Sequence, residues 1–192
     1  ALIYGPKVAP GHYMVELTVD GQVARQPLTI VPDAFSDASQ ADLDAQFEML
    51  MRIYHRTGDA VAALNQMRDV RAQLDGWHKR LARNPQTAAL AEQAAALRDQ
   101  VLAVEKEIQV PDLKPGWPGQ MNHGTKMLAK LSSIADAVAV GNYRPTDQAV
   151  AVFDSLSENI DEVFSRMQGL VSGEIADFGK KVSAAGVNSV VA

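Results

Sequence analysis

The side chains best suited to chemistry in this sequence are four histidines, two tryptophans and a scatter of carboxylates. His12, His55, His78 and His123 are the natural metal ligands and proton carriers near neutral pH. A carboxylate-bridged metal site inside a helical bundle needs Glu-x-x-His pairs that point inward. None of the four histidines has a glutamate three residues before it. His55 adjoins Tyr54 and His78 adjoins Trp77, an arrangement that fits helix flanks better than a ligand set. There is no glycine-rich phosphate loop, no G-x-S-x-G elbow and no His-Glu-x-x-His pattern. Asp154, Glu158, Asp161 and Glu162 read as a solvated helix face, and an acid–base pair would have to be assembled from separate elements. The sequence therefore assigns no catalytic residue, no cofactor-binding residue and no metal ligand.

Three aromatic residues remain as a candidate interaction surface: Trp77, Trp117 and Tyr143. Such side chains combine a large apolar area with a polar tip, which suits protein contacts. Trp117 lies in PDLKPGWPG, residues 111–119, a stretch so rich in proline and glycine that it reads as a loop. There it either docks onto the body of the protein or stacks on a ligand. The methionines at 49, 51, 67, 121, 127 and 167 could line a peptide groove, but core filling is the more direct reading.

The elements that must position these residues fall into two kinds. In residues 13–20, Tyr13, Val15, Leu17 and Val19 alternate with Met14, Glu16, Thr18 and Asp20. Period two predicts a strand with one buried face. Asp20-Gly21 is a hairpin signal, because glycine accepts the positive φ of a tight primed turn. The return strand runs over Val23–Val31, and Pro27 within it predicts an edge position or a bulge. Leu2–Tyr4 reads as a further short strand. So small a sheet must lean on helices or on other strands.

After Pro32 the period changes. Ser39-Gln40-Ala41-Asp42 fits a capping box. Leu43, Phe47, Leu50, Tyr54, Val61, Leu64, Met67, Leu74, Trp77 and Leu81 then recur mostly at three- and four-residue steps, predicting one helix over Ser39–Arg83. At 1.5 Å per residue that helix is roughly 65 Å long, and Gly58 and Gly76 would be its weak points. Asn84-Pro85 ends it, and a second helix is expected from about Gln86, with Leu90, Ala94, Leu97, Val101, Val104 and Ile108 at coiled-coil spacing. A third is expected over Asn122–Val140, with Leu128, Leu131, Ile134 and Val138 inward. A fourth is expected with Pro145 in its first turn and a stripe through Phe153, Leu156, Ile160, Val163, Met167, Leu170 and Phe178.

Composition agrees with this mixture. Apolar residues make up 47% of the 192 and aromatics only 6%, a balance that favours helix packing over a β-sandwich. The formal charge is −5 and no dense Lys/Arg run occurs, so a nucleic-acid partner is not expected. Cysteine is absent, which excludes disulfide frameworks and thiolate metal sites. No apolar run is long enough to span a bilayer. The beginning ALIYGPKVAP lacks the basic-then-apolar pattern of a signal peptide.

The stretch PGHYMVELTVDGQVARQPLTIVPD resembles a segment near the end of bacterial sortilin-like β-propeller proteins with Asp-box repeats, often labelled glycosyl hydrolases or exo-sialidases. Ala41–Phe47, Ala63–Arg68, Pro118–Asn122 and Arg144–Ala149 continue the likeness. The resemblance implies that residues 1–34 close an immunoglobulin-like sandwich and that residues 35–192 are the helical tail after it. It also implies an exported parent, periplasmic or extracellular. The Asp-box pattern S-x-D-x-G-x-T-W does not occur, so no glycosidase residue carries over.

The expected fold is mainly α: an antiparallel bundle of about four helices, two of them long, preceded by a small β-hairpin or partial immunoglobulin-like sheet. The expected role is that of a non-catalytic accessory or scaffolding region, with its own upstream propeller or immunoglobulin-like domain, or a second copy, as partner. Two alternatives stay open: a loop lent to a glycosidase-type site of the parent, and a free-standing helical adaptor. In the isolated chain the hairpin's apolar face is expected to be exposed or paired with another copy.

Overall fold

The structure is a computed structural model and describes residues 5–111 and 124–187. Strands β1 (Gly11–Val19) and β2 (Gln22–Ile30) come first, followed by helices α1 (Gln40–Leu81), α2 (Ala88–Ile108), α3 (Met127–Ala139), α4 (Asp147–Leu170) and α5 (Ala176–Ala184). A π-helical segment, Val171–Ile175, joins α4 to α5, so those two form one rod. The described residues are thus a mainly α protein with an N-terminal hairpin, and α1 and the α4–α5 rod are its long members.

The hairpin forms where the sequence allows a primed turn. Asp20 and Gly21 take φ of 49° and 80°, the type I′ geometry that matches strand twist. Pairing then runs without interruption from Val19↔Gln22 to Gly11↔Ile30. Pro27 therefore sits in an edge strand without a bulge.

Ser39 and Asp42 start α1 by satisfying each other's backbone donors. The Asp42 amide donates to Ser39 Oγ at 3.2 Å, and the Ser39 amide donates to Asp42 Oδ2 at 3.2 Å. The helix is continuous through Gly58 and Gly76. Its buried face differs from the predicted stripe most at two positions, while Phe47 and Trp77 are half-buried beside a seam that runs through Gln46 and His78. Tyr54 and Val61 are exposed, and Ile53 and Ala60 are buried in their place. The reason is register: Leu43, Gln46, Leu50, Ile53, Thr57, Ala60, Leu64, Met67, Arg71, Leu74, His78 and Leu81 step by three and four without a break. A regular 3.5-residue repeat keeps one seam facing its neighbours, and a route through Tyr54 and Val61 would break it.

Helix α1 ends at Leu81, short of Arg83. Asn84 Oδ1 accepts from the Gln86 amide at 3.0 Å, and a 3₁₀ turn over Pro85–Thr87 precedes α2, which begins at Ala88. The Thr87 hydroxyl donates to the Leu81 carbonyl at 2.7 Å, satisfying one of the helix's orphan acceptors. Helix α3 begins at Met127; Asn122 lies outside the described residues, and Gly124 to Lys126 are not helical. Thr146 caps α4 by accepting from the Ala149 amide at 3.2 Å, so Pro145 stands before the cap and not in the first turn. The apolar stripe of α4 reaches Leu170 in three- and four-residue steps and resumes at Phe178 and Val182, one residue out of phase. The π segment between them absorbs that extra residue.

The chain divides into two compact units, Ala1–Arg56 with Leu131–Asp154, and Thr57–Lys130 with Ser155–Ala192. In the first, Asp42 pairs with Arg144 while Gln46 bonds to Val138, so α1 and α3 run antiparallel around Leu50, Ile53, Leu131 and Phe153. In the second, Arg68 pairs with Glu105, Asp75 with Arg98, and His78 with Ala91, so α1 and α2 are antiparallel. Glu107 with Arg166 and Gln93 with Lys181 set the α4–α5 rod antiparallel to α2. One apolar core, including Leu64, Met67, Leu97, Val101, Val163 and Phe178, joins these helices.

Candidate interaction surface

Strand register sorts the hairpin into two unlike faces. Residues directly opposite each other share a face, so Tyr13, Val15, Leu17 and Val19 stand with Ile30, Leu28, Gln26, Ala24 and Gln22. That face carries no charge. The other carries His12, Met14, Glu16 and Thr18 with Thr29, Pro27, Arg25 and Val23. It is tied by polar contacts: Arg25 Nε donates to Glu16 Oε2 at 2.8 Å, and His12 Nδ1 lies 3.0 Å from Thr29 Oγ1.

Period two puts the apolar residues of β1 on one face, and that face is open rather than buried, as expected of the chain by itself. Val15 is 49% exposed, Leu17 61%, Val19 56% and Leu28 46%. The physical reason is that the sheet has two strands and, among the described residues, no second layer covers it. Among the described residues, only the foot of the hairpin is anchored. The Tyr13 hydroxyl donates to the Ala9 carbonyl at 2.6 Å, Gln40 Nε2 to the Pro10 carbonyl at 3.0 Å, and Lys7 Nζ to Asn142 Oδ1 at 2.7 Å. Gln46, buried at the same level of the first unit, donates to the Val138 carbonyl at 2.7 Å. A cleft of about 540 Å³ lies among Lys7, Val31, Ser36, Gln46 and Asn142. Its polar groups are engaged with one another and with the backbone, as a structural joint requires.

Trp77 belongs to the second unit, where it is half-buried with the Arg80 guanidinium 5.0 Å from its ring centroid. It borders a cleft of about 640 Å³ with Val70, Leu74, Val171, Phe178 and Val182. Tyr143 belongs to the first unit and is exposed. Its ring closes over Gly141, where φ is +72° and an added Cβ would stand 2.6 Å from the ring. Trp117 lies outside the described residues, as does the proposed strand Leu2–Tyr4 and nearly all of the loop 111–119. Met49, Met67 and Met167 are buried and Met127 packs on the second unit's core, so these serve as filler.

The titratable residues make structural pairs. Ser39 and then Arg144 hold the Asp42 carboxyl below its ordinary range by hydrogen bonds. Lys79 does the same, with Arg98, for Asp75, and Lys180 for Asp177. His55 lies edge-on to Tyr54 with centroids 5.7 Å apart, and His78 Nδ1 lies 3.0 Å from the Ala91 carbonyl oxygen. Among the described residues no cluster of three or more His, Cys, Asp or Glu could hold a metal, and no helix is long and apolar enough to cross a membrane.

One polar residue escaped the sequence reading. Glu105 is fully buried in the second unit. Its Oε1 accepts from Arg68 Nε at 3.1 Å, and Arg71 Nε lies 3.2 Å from Oε2, in ion-pair contact but out of line for a hydrogen bond. The available signal was its place on the α2 seam between Val101 and Ile108, opposite two arginines a turn apart on α1.

No family model, curated protein or solved structure matches the chain. The functional reading rests on the hairpin face and on the closed helical cores.

Proposed function

We propose that this chain is a non-catalytic accessory region of a larger exported β-propeller protein, in which the hairpin completes an immunoglobulin-like sheet and the helices brace the assembly. One observation carries the reading: the uncharged face of the hairpin presents Val15, Leu17, Val19 and Leu28 to solvent on a sheet that has two strands among the described residues. An isolated hairpin is marginal in water, and a contiguous apolar patch rimmed by polar residues marks an interaction site. The likeness of Pro10–Asp33 to the end of the sortilin-like propeller proteins supplies the identity of the covering layer. The long helices suit bracing because they offer extended area, and inward polar residues such as Gln46, His78 and Glu105 are engaged within the helical units.

The test begins with the reading frame upstream of Ala1. The preceding segment, expressed separately, should bind the purified chain in a calorimetric titration, and Leu17→Lys should weaken that binding at least tenfold. The isolated chain should turn over neither sialosides nor aryl glycosides. Turnover by the isolated chain, or an upstream segment that does not bind it, overturns the reading.

A further inference from the structure

The two outer edges of the hairpin are not equivalent, and we infer that β1 presents a strand-accepting edge that takes β1 of a second copy of this chain in antiparallel register. The type I′ turn at Asp20-Gly21 closes on a hydrogen-bonded pair, Val19↔Gln22. Hydrogen-bonded and non-hydrogen-bonded pairs alternate along an antiparallel ladder. Thr18↔Val23, Glu16↔Arg25, Met14↔Pro27 and His12↔Thr29 are therefore the non-hydrogen-bonded pairs. Residues in such pairs aim their N–H and C=O away from the partner strand. On β1, His12, Met14, Glu16 and Thr18 thus offer a complete row of donors and acceptors, and no bond among the described residues uses these backbone groups. On β2 the same row has a gap, because Pro27 has no N–H to offer. A proline facing outward is a common way to close an edge to strand addition.

Charge narrows the register. A twofold seam centred on Met14 sets His12 of each copy opposite Glu16 of the other. Sliding the centre to Glu16 would oppose two carboxylates, a destabilising cross-strand pair. Area sets the strength. Centred on Met14, the seam pairs residues 11–17 of each β1, about seven per strand, and buries much less than the roughly 1,200 Å² at the low end for stable complexes, so the dimer is weak and concentration-dependent. A second copy laid across the uncharged face is the competing occupant. It lies perpendicular to this seam, so the edge proposal stands or falls separately from the covering layer proposed above.

Sedimentation velocity on the whole chain, from about 20 µM to about 1 mM, is the primary measurement. The expected result is a rising monomer–dimer average. Met14→Pro removes an outward N–H from β1 at the position facing Pro27, without touching a bond of the ladder, and should leave a monomer. Pro27→Met adds the missing donor to β2, gives each copy two open edges, and should produce species larger than a dimer. Leu17→Lys should leave the dimer in place. In this cysteine-free chain, Met14→Cys should oxidise to a disulfide dimer at least tenfold faster than Thr18→Cys. A strict monomer over the whole range overturns the proposal. So does loss of the dimer in Leu17→Lys with retention in Met14→Pro, or equal oxidation of the two cysteine variants.

Discussion

The hairpin and the second helical unit are both written in alternating apolar residues, and only one of them closes. Around Leu64, Met67, Val101 and Val163 three helical segments turn their seams on one another, and those side chains are nearly or wholly buried. On β1 and β2 an equally regular pattern leaves Leu17 61% and Val19 56% exposed. Periodicity states that a face needs burying; it does not state that the same chain supplies the cover. Helix α1 brings its own partner because the short connection over residues 82–87 folds α2 back on it. A two-stranded sheet has no such return path, and among the described residues nothing covers its apolar face.

The largest expected effect probes the closed region at its most demanding point. Glu105 is buried between Arg68 and Arg71, whose side chains remain 42% and 28% exposed. Removing both arginines leaves a carboxylate in the core with no counter-charge, a loss on the order of 3–5 kcal/mol. Glu105→Leu removes the buried charge instead and lets two partly solvated arginines rehydrate, so it should be neutral or stabilising. Urea denaturation of Arg68→Ala/Arg71→Ala beside Glu105→Leu checks the asymmetry. Equal destabilisation by both would mean that the ion pair adds stability on its own account, beyond relieving a buried charge.

The contrast between the regions can be broken more directly with apolar truncations. Leu64→Ala opens a cavity in a packed core, which costs about 2–5 kcal/mol. Leu17→Ala removes the same side-chain atoms from a face already in water, and should change stability by no more than about 0.5 kcal/mol. Chemical denaturation of the two variants at low concentration separates them. If Leu17→Ala cost as much as Leu64→Ala, the hairpin face would be covered in solution, and the search for its partner would turn to this chain itself.

Much of this was legible before any coordinates. The change of period after Pro32, the Asp20-Gly21 turn, the Ser39/Asp42 capping box and the Asn84-Pro85 break are local chemistry, and local chemistry is written in adjacent residues. The stripe of α1 was legible in kind and wrong at Tyr54 and Val61, because a large side chain was preferred there to an unbroken repeat through Ile53 and Ala60. The π segment follows from the phase slip between Leu170 and Phe178, which only a strict count of steps exposes. Glu105 was missed because a charged residue on an apolar seam makes sense only beside the arginines of another helix. The exposure of Val15, Leu17 and Val19 was open for a different reason: burial is a property of what lies opposite, and a strand's own sequence does not contain it. For the same reason the two compact units interleave distant segments, which a division along the chain does not express.

The smallest effect sharpens the comparison at the point where the hairpin region gives way to helix. Asp42 is held below the ordinary carboxylate range first by the Ser39 hydroxyl, then by Arg144 and the Ser39 amide. A carboxylate lowered in the folded state contributes stability above the ordinary carboxylate range. That contribution fades as the pH falls through the lowered folded value, where the proton binds and the acceptor is lost. Asp42→Asn should therefore melt below the parent near neutral pH, and the gap should narrow toward zero as the pH drops below the ordinary carboxylate range. Ser39→Ala removes the other half of the box and should cost about 1 kcal/mol. Thermal melts of the three proteins across the acid range read both effects. A gap that stayed constant with pH would assign Asp42 a packing role instead of a charge-dependent one, and the start of α1 would then depend on the hairpin's foot bonds more than on its own cap.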